Sequence, residues 1–583
     1  MILRALHDLH ERLKDDPDYE IAPDGFSYQK VTFVIVLETD GRLVEIADTQ
    51  IEINGKTRPR RVLVFGTAKP SGKGLNPCFL WDNTKYILGH DGNVDPKKRK
   101  PERAQQVFEA FRERHISLRK KIGSSEFDAV CNFLSGWKPS DAEKHSVLAE
   151  GTSGFGVFQI RGQTHFVHET QKIRTFWLQD RQEDPEGPLS TCLITGEVSP
   201  TARIHPKIKG VWGAQSSGAA IVSFNDSSYL SYGKVQNFNA PVSSGAARHY
   251  VKALNALLDG PMQEKHRFGI GDMTLAFWTD RPSALEDIFV EFSQSGEGKA
   301  VESSQDEGLR SKIGALLRAL RQGREAYADL DDEPDKTEYF LLGLSPNAAR
   351  LSVRFFWRGN LTAFLDKLRL HFQHIQIETQ RNSDREFPPA WQLLRQTARE
   401  SKDIPPILAA PLLRAIIDGS NYPPAMYSAI IGRIRADRDI NHARACLIKG
   451  YLIRNLGKDM PMSLDKSQID SGYRLGRLFA TLEKTQKDAL GENLNATIRD
   501  RFYASASATP GPVIPRLLRT YQHHLAKLSG GLKVSRERLL QEIMDGLDQI
   551  PAQLDLSAQG CFALGYYHQM NDFYKRRTDD SKD

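Results

Sequence analysis

Cysteine is scarce in this chain. The five residues, Cys78, Cys131, Cys192, Cys446 and Cys561, lie far apart and form no C-x-x-C pair, so neither a disulfide framework nor a cysteine zinc site is expected. Long apolar runs are also missing: none approaches the ~18 residues that a membrane-spanning helix needs. No secretory pattern opens the sequence at Met1-Ile-Leu-Arg-Ala-Leu6, and the expectation is a soluble, cytoplasmic protein. Catalytic signatures are absent too, with no H-E-x-x-H, no G-x-S-x-G, no adjacent His-Asp ligand pair and no strand-borne acidic pair of nuclease type. We therefore read no catalytic residue, no metal site and no cofactor. A nuclease or nucleotide-dependent site assembled from distant residues is the alternative, and a purely structural scaffold is another.

What is present is an ordinary globular composition, 40% hydrophobic and 26% charged, which excludes global disorder. The 583 residues exceed what one core of roughly 250–300 residues can organise, so at least two domains are expected. The net charge of +6 says little about partners, but its distribution is uneven. Residues 56–121 hold 17 basic and 6 acidic side chains, whereas residues 293–308 and 329–335 are acid-rich. A concentrated basic segment is the footprint of a polyanionic partner.

The spacing of apolar residues predicts a helix over residues 3–9 and a β-branched strand over 31–37. Further strands are expected at 61–65, 156–160, 219–224, 273–279, 338–343 and 350–357, interleaved with helices at 103–121, 246–258 and 311–320. From residue 361 the pattern is helical almost throughout, with Pro and Gly confined to breaks. The fold class is thus α+β. A mixed α/β domain spans 1–290, a flexible acidic linker or loop spans 293–308, the α/β region continues over 309–360, and an all-helical bundle fills 361–583.

One Gly-rich loop follows a strand: Gly66-Thr-Ala-Lys69-Pro-Ser71-Gly72-Lys73-Gly74. It is not a P-loop, because five residues separate its first two glycines and Gly74 stands where a metal-binding Ser or Thr belongs. Its two lysines, Ser71 and the following Asn76 instead suit a DNA groove, with Lys69 and Lys73 donating to phosphates or base edges and Asn76 able to donate and accept. A second Gly/Ser-rich loop around Gln215 offers another base-edge reader. The run Lys97-Lys98-Arg99-Lys100 has no aromatic partner and suits phosphate contact. His205 lacks any ligand at metal spacing and reads as a hydrogen-bonded structural histidine. His523 and His524 are adjacent, about 100° apart on a helix, and do not share a metal easily.

In the C-terminal part, Leu475, Leu478, Phe479 and Leu482 form an apolar stripe for core or partner packing. Residues 471–528 carry 9 basic and 4 acidic side chains. Among them Arg474, Arg477, Lys484, Lys487, Arg499 and Arg501 are candidates for following a nucleic-acid strand.

The whole chain resembles the large subunit of the type I-C CRISPR Cascade surveillance complex. The stretches that carry the resemblance are Asn76-Pro-Cys-Phe-Leu-Trp81-Asp-Asn83-Thr-Lys-Tyr86-Ile-Leu-Gly89, Cys192-Leu-Ile-Thr-Gly196-Glu197, His205-Pro-Lys-Ile-Lys-Gly210 with Gly213-Ala-Gln215, and Ser223-Phe-Asn225 with Ser231-Tyr-Gly-Lys234. They continue in Asn239-Ala-Pro-Val-Ser243, Gly343-Leu-Ser-Pro-Asn347-Ala-Ala-Arg350 and Tyr503-Ala-Ser-Ala-Ser507. Leu189 stands three residues before Cys192, where the family pattern has a second cysteine in some members, so a zinc knuckle is not expected here. The resemblance implies antiviral defence without catalysis. The N-terminal domain would recognise the PAM in double-stranded DNA and help open it. The helical domain would resemble the Cascade small subunit and stabilise the R-loop, with residues 462–583 also made separately from Met460 or Met462. The implied partners are the crRNA-containing backbone, crRNA 5′-end-capping and small subunits, the target DNA, and a helicase-nuclease recruited after the R-loop forms.

Overall fold

The computed structural model describes residues 1–53, 56–66, 74–93, 97, 99–149, 154–179, 187–282, 336–381, 383–491 and 495–579. The expected linker at 293–308, the acidic run at 329–335 and the expected helix at 311–320 lie outside the described residues. The protein is α+β. Its chain divides into two compact units, one of Met1–Gly210 with Gln215–Met262, the other of Val211–Ala214 with Gln263–Asp583.

The first unit is organised by strand β1 (Phe26–Leu37). Its first half pairs antiparallel with β3 (Arg60–Phe65) and its second half antiparallel with β2 (Leu43–Asp48). It also runs parallel to β5 (Phe155–Ile160), which pairs antiparallel with the short β4 (Trp81–Asn83). A strand with neighbours on both sides and cover on both faces needs apolar residues at consecutive positions, which explains the run from Val31 to Leu37. The register with β5 shifts between Val31 and Phe33. Phe33, Ile35 and Leu37 then enter a core with Val107, Phe108, Phe111, Phe127 and Leu134, while Val31 and Val34 join Val62, Val64, Trp81 and Val157. A one-residue slip of this kind moves a side chain to the opposite face.

Helices α1 (Ile2–Leu13), α2 (Thr84–Leu88), α3 (Pro101–Ile122), α4 (Ser125–Gly136), α5 (Gln171–Gln179) and α6 (Ser244–Asp259) complete the unit's main elements. Helix α3 begins with proline at its first turn and stops at Gly123, whose φ of 55° ends the helix in the left-handed region. Helix α1 buries Leu6, Leu9 and Leu13, three or four residues apart, and packs against α6. The expected strand at 219–224 does not form. Ala219 makes only a reciprocal pair with Ile208, at 2.8 and 2.9 Å, and residues 221–224 leave the pairing half-buried. A β-branched run needs a neighbouring ladder to pack on, and among the described residues this one has only isolated bridge pairing.

In the second unit a meander of β6 (Arg267–Ile270), β7 (Met273–Thr279), β8 (Glu338–Asn347) and β9 (Arg350–Asn360) packs on helices. Every residue of β7 is buried. Met273, Leu275 and Phe277 share one core with Phe364, Leu365 and Leu368, while Trp278 on the opposite face stacks on Phe340 with ring centroids 5.3 Å apart. The helical part comprises α7 (Leu361–Ile375), α8 (Ala409–Ile417), α9 (Pro424–Asp437), α10 (His442–Leu456), α11 (Ser471–Leu490), α12 (Ile498–Ala506), α13 (Pro510–Leu525), α14 (Gly530–Asp545) and α15 (Leu556–Asp579). The buried ammonium of Lys449 in α10 donates to the carbonyl of His374, 3.2 Å away, at the end of α7. It thereby meets an orphan carbonyl that no helical N–H reaches.

Helix α11 is the hub, packed against α12, α13, α14 and α15. Its contact with α15 is made by glycine on both sides: a Cβ added at Gly476 would lie 2.0 Å from the Phe562 carbonyl oxygen, and one at Gly565 would lie 2.0 Å from that of Tyr473. Gly432 in α9, by contrast, has open space around its Cα. Gly476→Ala is therefore expected to destabilise the protein by about 3 kcal/mol through overpacking. Gly432→Ala should stabilise it by up to about 1 kcal/mol through helix propensity. Urea denaturation of the full chain reads both.

Candidate nucleic-acid interface

The Gly-rich loop leaves the sheet at Gly66, whose N–H donates to the Gly25 carbonyl at 2.7 Å. Lys69, Ser71 and Lys73 lie outside the described residues, and the backbone resumes at Gly74. From there most of the stretch to Asn83 has a traceable hold. The Gly74 carbonyl accepts from Arg103 Nη2 at 3.0 Å and from the Tyr86 hydroxyl at 3.5 Å. The Pro77 carbonyl accepts from the Arg114 guanidinium. The N–H of Cys78 donates to Asp82 Oδ2 at 2.9 Å. Leu80, at φ 61°, donates its N–H to His115 Nε2 at 3.0 Å. A leucine in the left-handed region is strained and persists only where its surroundings fix it. Trp81 Nε1 donates to the Phe65 carbonyl at 2.7 Å, and Asn83 caps α2 by accepting from the N–H groups of Lys85 and Tyr86.

His115 is the buried post of this arrangement. Its Nδ1 lies 2.7 Å from the Phe111 carbonyl one helical turn back, which places the proton on Nδ1 and leaves Nε2 as the acceptor for Leu80. Burial pushes its pKa down to about 3. Phe79 fills the space beside it, stacked on His115 at 5.5 Å and on Trp177 of α5 at 5.6 Å.

Within this frame Asn76 is exposed, its side chain folded over Gly74, where an added Cβ would meet Asn76 Nδ2 at 2.9 Å. Lys97, Arg99 and Lys100 are exposed as well, while Lys98 lies outside the described residues. The run is tied down: the Lys100 N–H donates to Asp91 Oδ2 at 2.8 Å, and the Arg99 side chain donates through Nε to the Asn93 carbonyl at 2.9 Å. Asp91 is itself held by Lys85 Nζ at 3.0 Å. Lys100 immediately precedes α3, and Arg103 in the first turn of α3 is the residue that grips Gly74. The stretch that carries the exposed amide, held through Gly74, and the exposed basic run, which ends at Lys100, are thus both anchored to the start of α3. The positive end of the helix dipole adds to the field there.

Gln215 is also exposed, at the start of a turn closed by the Gly218 N–H donating to the Gln215 carbonyl at 2.8 Å. No hydrogen bond among the described residues joins it to the Asn76 stretch. His205 is buried, with Nδ1 2.8 Å from the Tyr250 hydroxyl, a structural position. Cys192 is buried and free, its sulfur accepting from the N–H groups of Ile194 and Ser243. Burial opposes ionisation of this thiol, but the donors, Ser243 first, bring it down to about 7. Around it, the hairpin of Leu189–Thr191 and Val198–Pro200 presents Leu189, Leu193 and Val198 at 69–70% exposure.

The six basic candidates of the C-terminal part are placed differently. Arg477 is buried, its Nη2 paired with Glu542 at 2.8 Å and its Nε donating to Gln569 at 3.1 Å. Lys484 is buried against Asp488, which also pairs with Arg536 at 2.8 Å. Lys487 lies 2.8 Å from the fully buried Glu483, and Arg499 lies 4.0 Å from the same carboxylate. Arg474 is half-buried and donates to the Gln468 carbonyl at 2.7 Å. Arg501 alone of the six is exposed. The helix spacing carried a signal of this: Glu483 with Lys487 and Lys484 with Asp488 are both i, i+4 pairs. The structural residues that sequence reading missed, Arg103, Arg114 and His115, carry no motif because their partners are backbone groups 29 to 37 positions away.

A family model described as CRISPR-associated protein (Cas_Csd1) matches residues 6–574. No curated protein matches the chain.

The depressed pKa of His115 has a consequence for stability. Below its ordinary value of 6.5 the unfolded imidazole takes up a proton that the folded one refuses. Its contribution is therefore full above pH 6.5 and is lost as pH falls toward 3, at up to ~1.4 kcal/mol per pH unit. His115→Gln keeps an acceptor for the Leu80 N–H without the titration. Its melting temperature should fall less than that of the wild type between about pH 6.5 and about pH 4.5.

Proposed function

The chain belongs to this CRISPR-associated family, and from that premise we propose that it is the large subunit of a type I-C Cascade, recognising the PAM in duplex DNA and supporting R-loop formation. The observation that carries the reading is that the exposed Lys97, Arg99 and Lys100 lead into the start of α3, whose Arg103 also anchors Gly74, two residues before the exposed Asn76. An exposed amide can both donate and accept at a base edge, which reads sequence, while exposed cations contact phosphates, which position. In RNA-guided recognition guide pairing reads the target, and the protein needs to read only the PAM and the backbone. A small surface of this kind suffices, because exchanging a DNA duplex for a heteroduplex is nearly balanced in energy. Lys69, Ser71 and Lys73 would extend the same surface, and Gln215 would be a second reader. Of the six C-terminal candidates, the exposed Arg501 is the one that would be available to an R-loop strand. The helices from α11 to α15, which pack around one hub, would be the part also made as a separate small subunit.

The exposed apolar hairpin favours a second role, docking on the crRNA-containing subunits, because contiguous exposed apolar side chains mark interaction surfaces. A scaffold that binds protein partners alone would use this hairpin and not the α3 surface.

Binding of the crRNA-assembled complex to duplexes with and without a candidate PAM, at two salt concentrations, separates these readings. Asn76→Ala should weaken PAM-containing targets by ~1–3 kcal/mol and leave PAM-less DNA unchanged. Equal loss on both duplexes would reduce Asn76 to a backbone contact. The triple substitution Lys97→Ala, Arg99→Ala and Lys100→Ala should weaken all duplexes alike and lower the salt slope by roughly one for each lost phosphate contact. Salt-independent binding unaffected by all four substitutions would support the scaffold.

A further inference from the structure

Helix α1 carries His7 and Glu11, four residues apart and so on one face. Helix α6 packs against that helix and carries His249. One donor atom from each of the three residues lies within 4.8 Å of the other two. Nδ1 of His249 is 3.4 Å from Glu11 Oε1. Two donors bound at ~2.0–2.1 Å in a tetrahedron about zinc stand roughly 3.3 Å apart, so this edge needs almost no adjustment.

Two further observations point at a ligand. The Nδ1 atoms of His7 and His249 are both shielded from solvent and make no hydrogen bond among the described residues. A buried ring nitrogen normally has a partner, yet His249 Nδ1 faces Glu11 Oε1 at 3.4 Å and His7 Nδ1 faces Asp8 Oδ1 at 3.8 Å without a hydrogen bond being made. The rings are also crowded: His249 stacks on His10 at 4.0 Å, and His7 stands 5.3 Å from His249. The carboxylate is pre-oriented. Glu11 Oε2 is held by Lys14 at 2.7 Å, while Oε1 faces the imidazoles, with His10 Nδ1 at 3.1 Å. Hydrogen bonds of this type to the outer oxygen of a ligating carboxylate fix the direction of the inner one. The nearby cations Lys252 and Arg248 are each paired with Asp24, at 2.8 and 3.1 Å, so the charge facing the cluster is compensated.

We propose that His7, Glu11 and His249 form a site for a divalent transition metal, with zinc the ion best matched to two imidazoles and one carboxylate. Glu11 is exposed, which gives the ion an entry path and leaves a fourth position to water. The bound ion ties the N-terminal helix to α6. Sequence spacing hides the site, because the third donor comes from a helix far along the chain. The site is independent of the DNA-binding reading.

The test is cobalt(II) titration of the tag-free, chelator-stripped full chain, followed by absorption in the visible. One equivalent should bind with the bands of a low-symmetry, four- or five-coordinate ion, and zinc should displace it. His7→Gln and His249→Gln should each weaken uptake at least about tenfold. His523→Gln, on an exposed histidine of α13, should bind as the wild type does. Zinc should also raise the melting temperature of the wild type but not of the two ligand variants. If either histidine variant fails to fold, Glu11→Gln takes its place with the same expected loss. A wild-type chain that takes up no cobalt at one equivalent, or ligand variants that take up as much as the wild type, overturns the proposal.

Discussion

A helix enclosed on every side must find a countercharge for each ion it carries, since an unpaired charge away from water costs several kcal/mol. Helix α11 is that helix. Tyr473, Leu475, Leu478, Phe479 and Leu482 are buried, and so are Arg477, Glu483 and Lys484 on its remaining sides. Each ion is answered from a surrounding helix or from within α11 itself: Arg477 by Glu542 of α14, Lys484 by Asp488, and Glu483 by Lys487 and by the Tyr566 hydroxyl of α15, which donates at 2.6 Å. Even the neutral polar groups are matched, with the Tyr473 hydroxyl 2.8 Å from His568 Nδ1. Apolar contact alone would let α11 rotate about its axis among its neighbours. The ion pairs favour one rotation, and the glycine contacts at Gly476 and Gly565 hold the spacing.

The same constraint explains where sequence reading succeeded and where it stopped. Apolar periodicity located β1, β3, β5 and β7 to within a few residues, because burial on both faces leaves a dense apolar run. The stripe from Leu475 to Leu482 was legible as packing for the same reason. A count of basic residues could not tell a solvated face from an interior network, since Arg477 and Lys484 have the composition of a phosphate-binding helix and the surroundings of a core. The run at 219–224 had the right residue types for a strand, but nothing in its own sequence shows that no continuous ladder forms on it among the described residues.

At the candidate interface the division is between residues that hold and residues that are shown. Most of the stretch from Asn76 to Gly89 is scaffold: Trp81, Asp82, Asn83 and Tyr86 all bond to backbone. Asn76 is what the scaffold presents. The resemblance over this stretch thus falls mostly on residues that packing and backbone bonds constrain.

Strand β1 also sets an order of events in time. Its parallel neighbour β5 begins at Phe155, well over a hundred residues after β1 ends. At the ~5–20 residues per second of translation, β1 leaves the ribosome roughly 6–25 s before β5 can reach it. Throughout that interval β1 has its hairpin partners β2 and β3, with an apolar edge open beside Phe33 and Ile35. Helix α1 waits longer still for α6. The N-terminal unit cannot close progressively from its start, and its folding rate is set by long loop closures that depend on the last third of that unit being made.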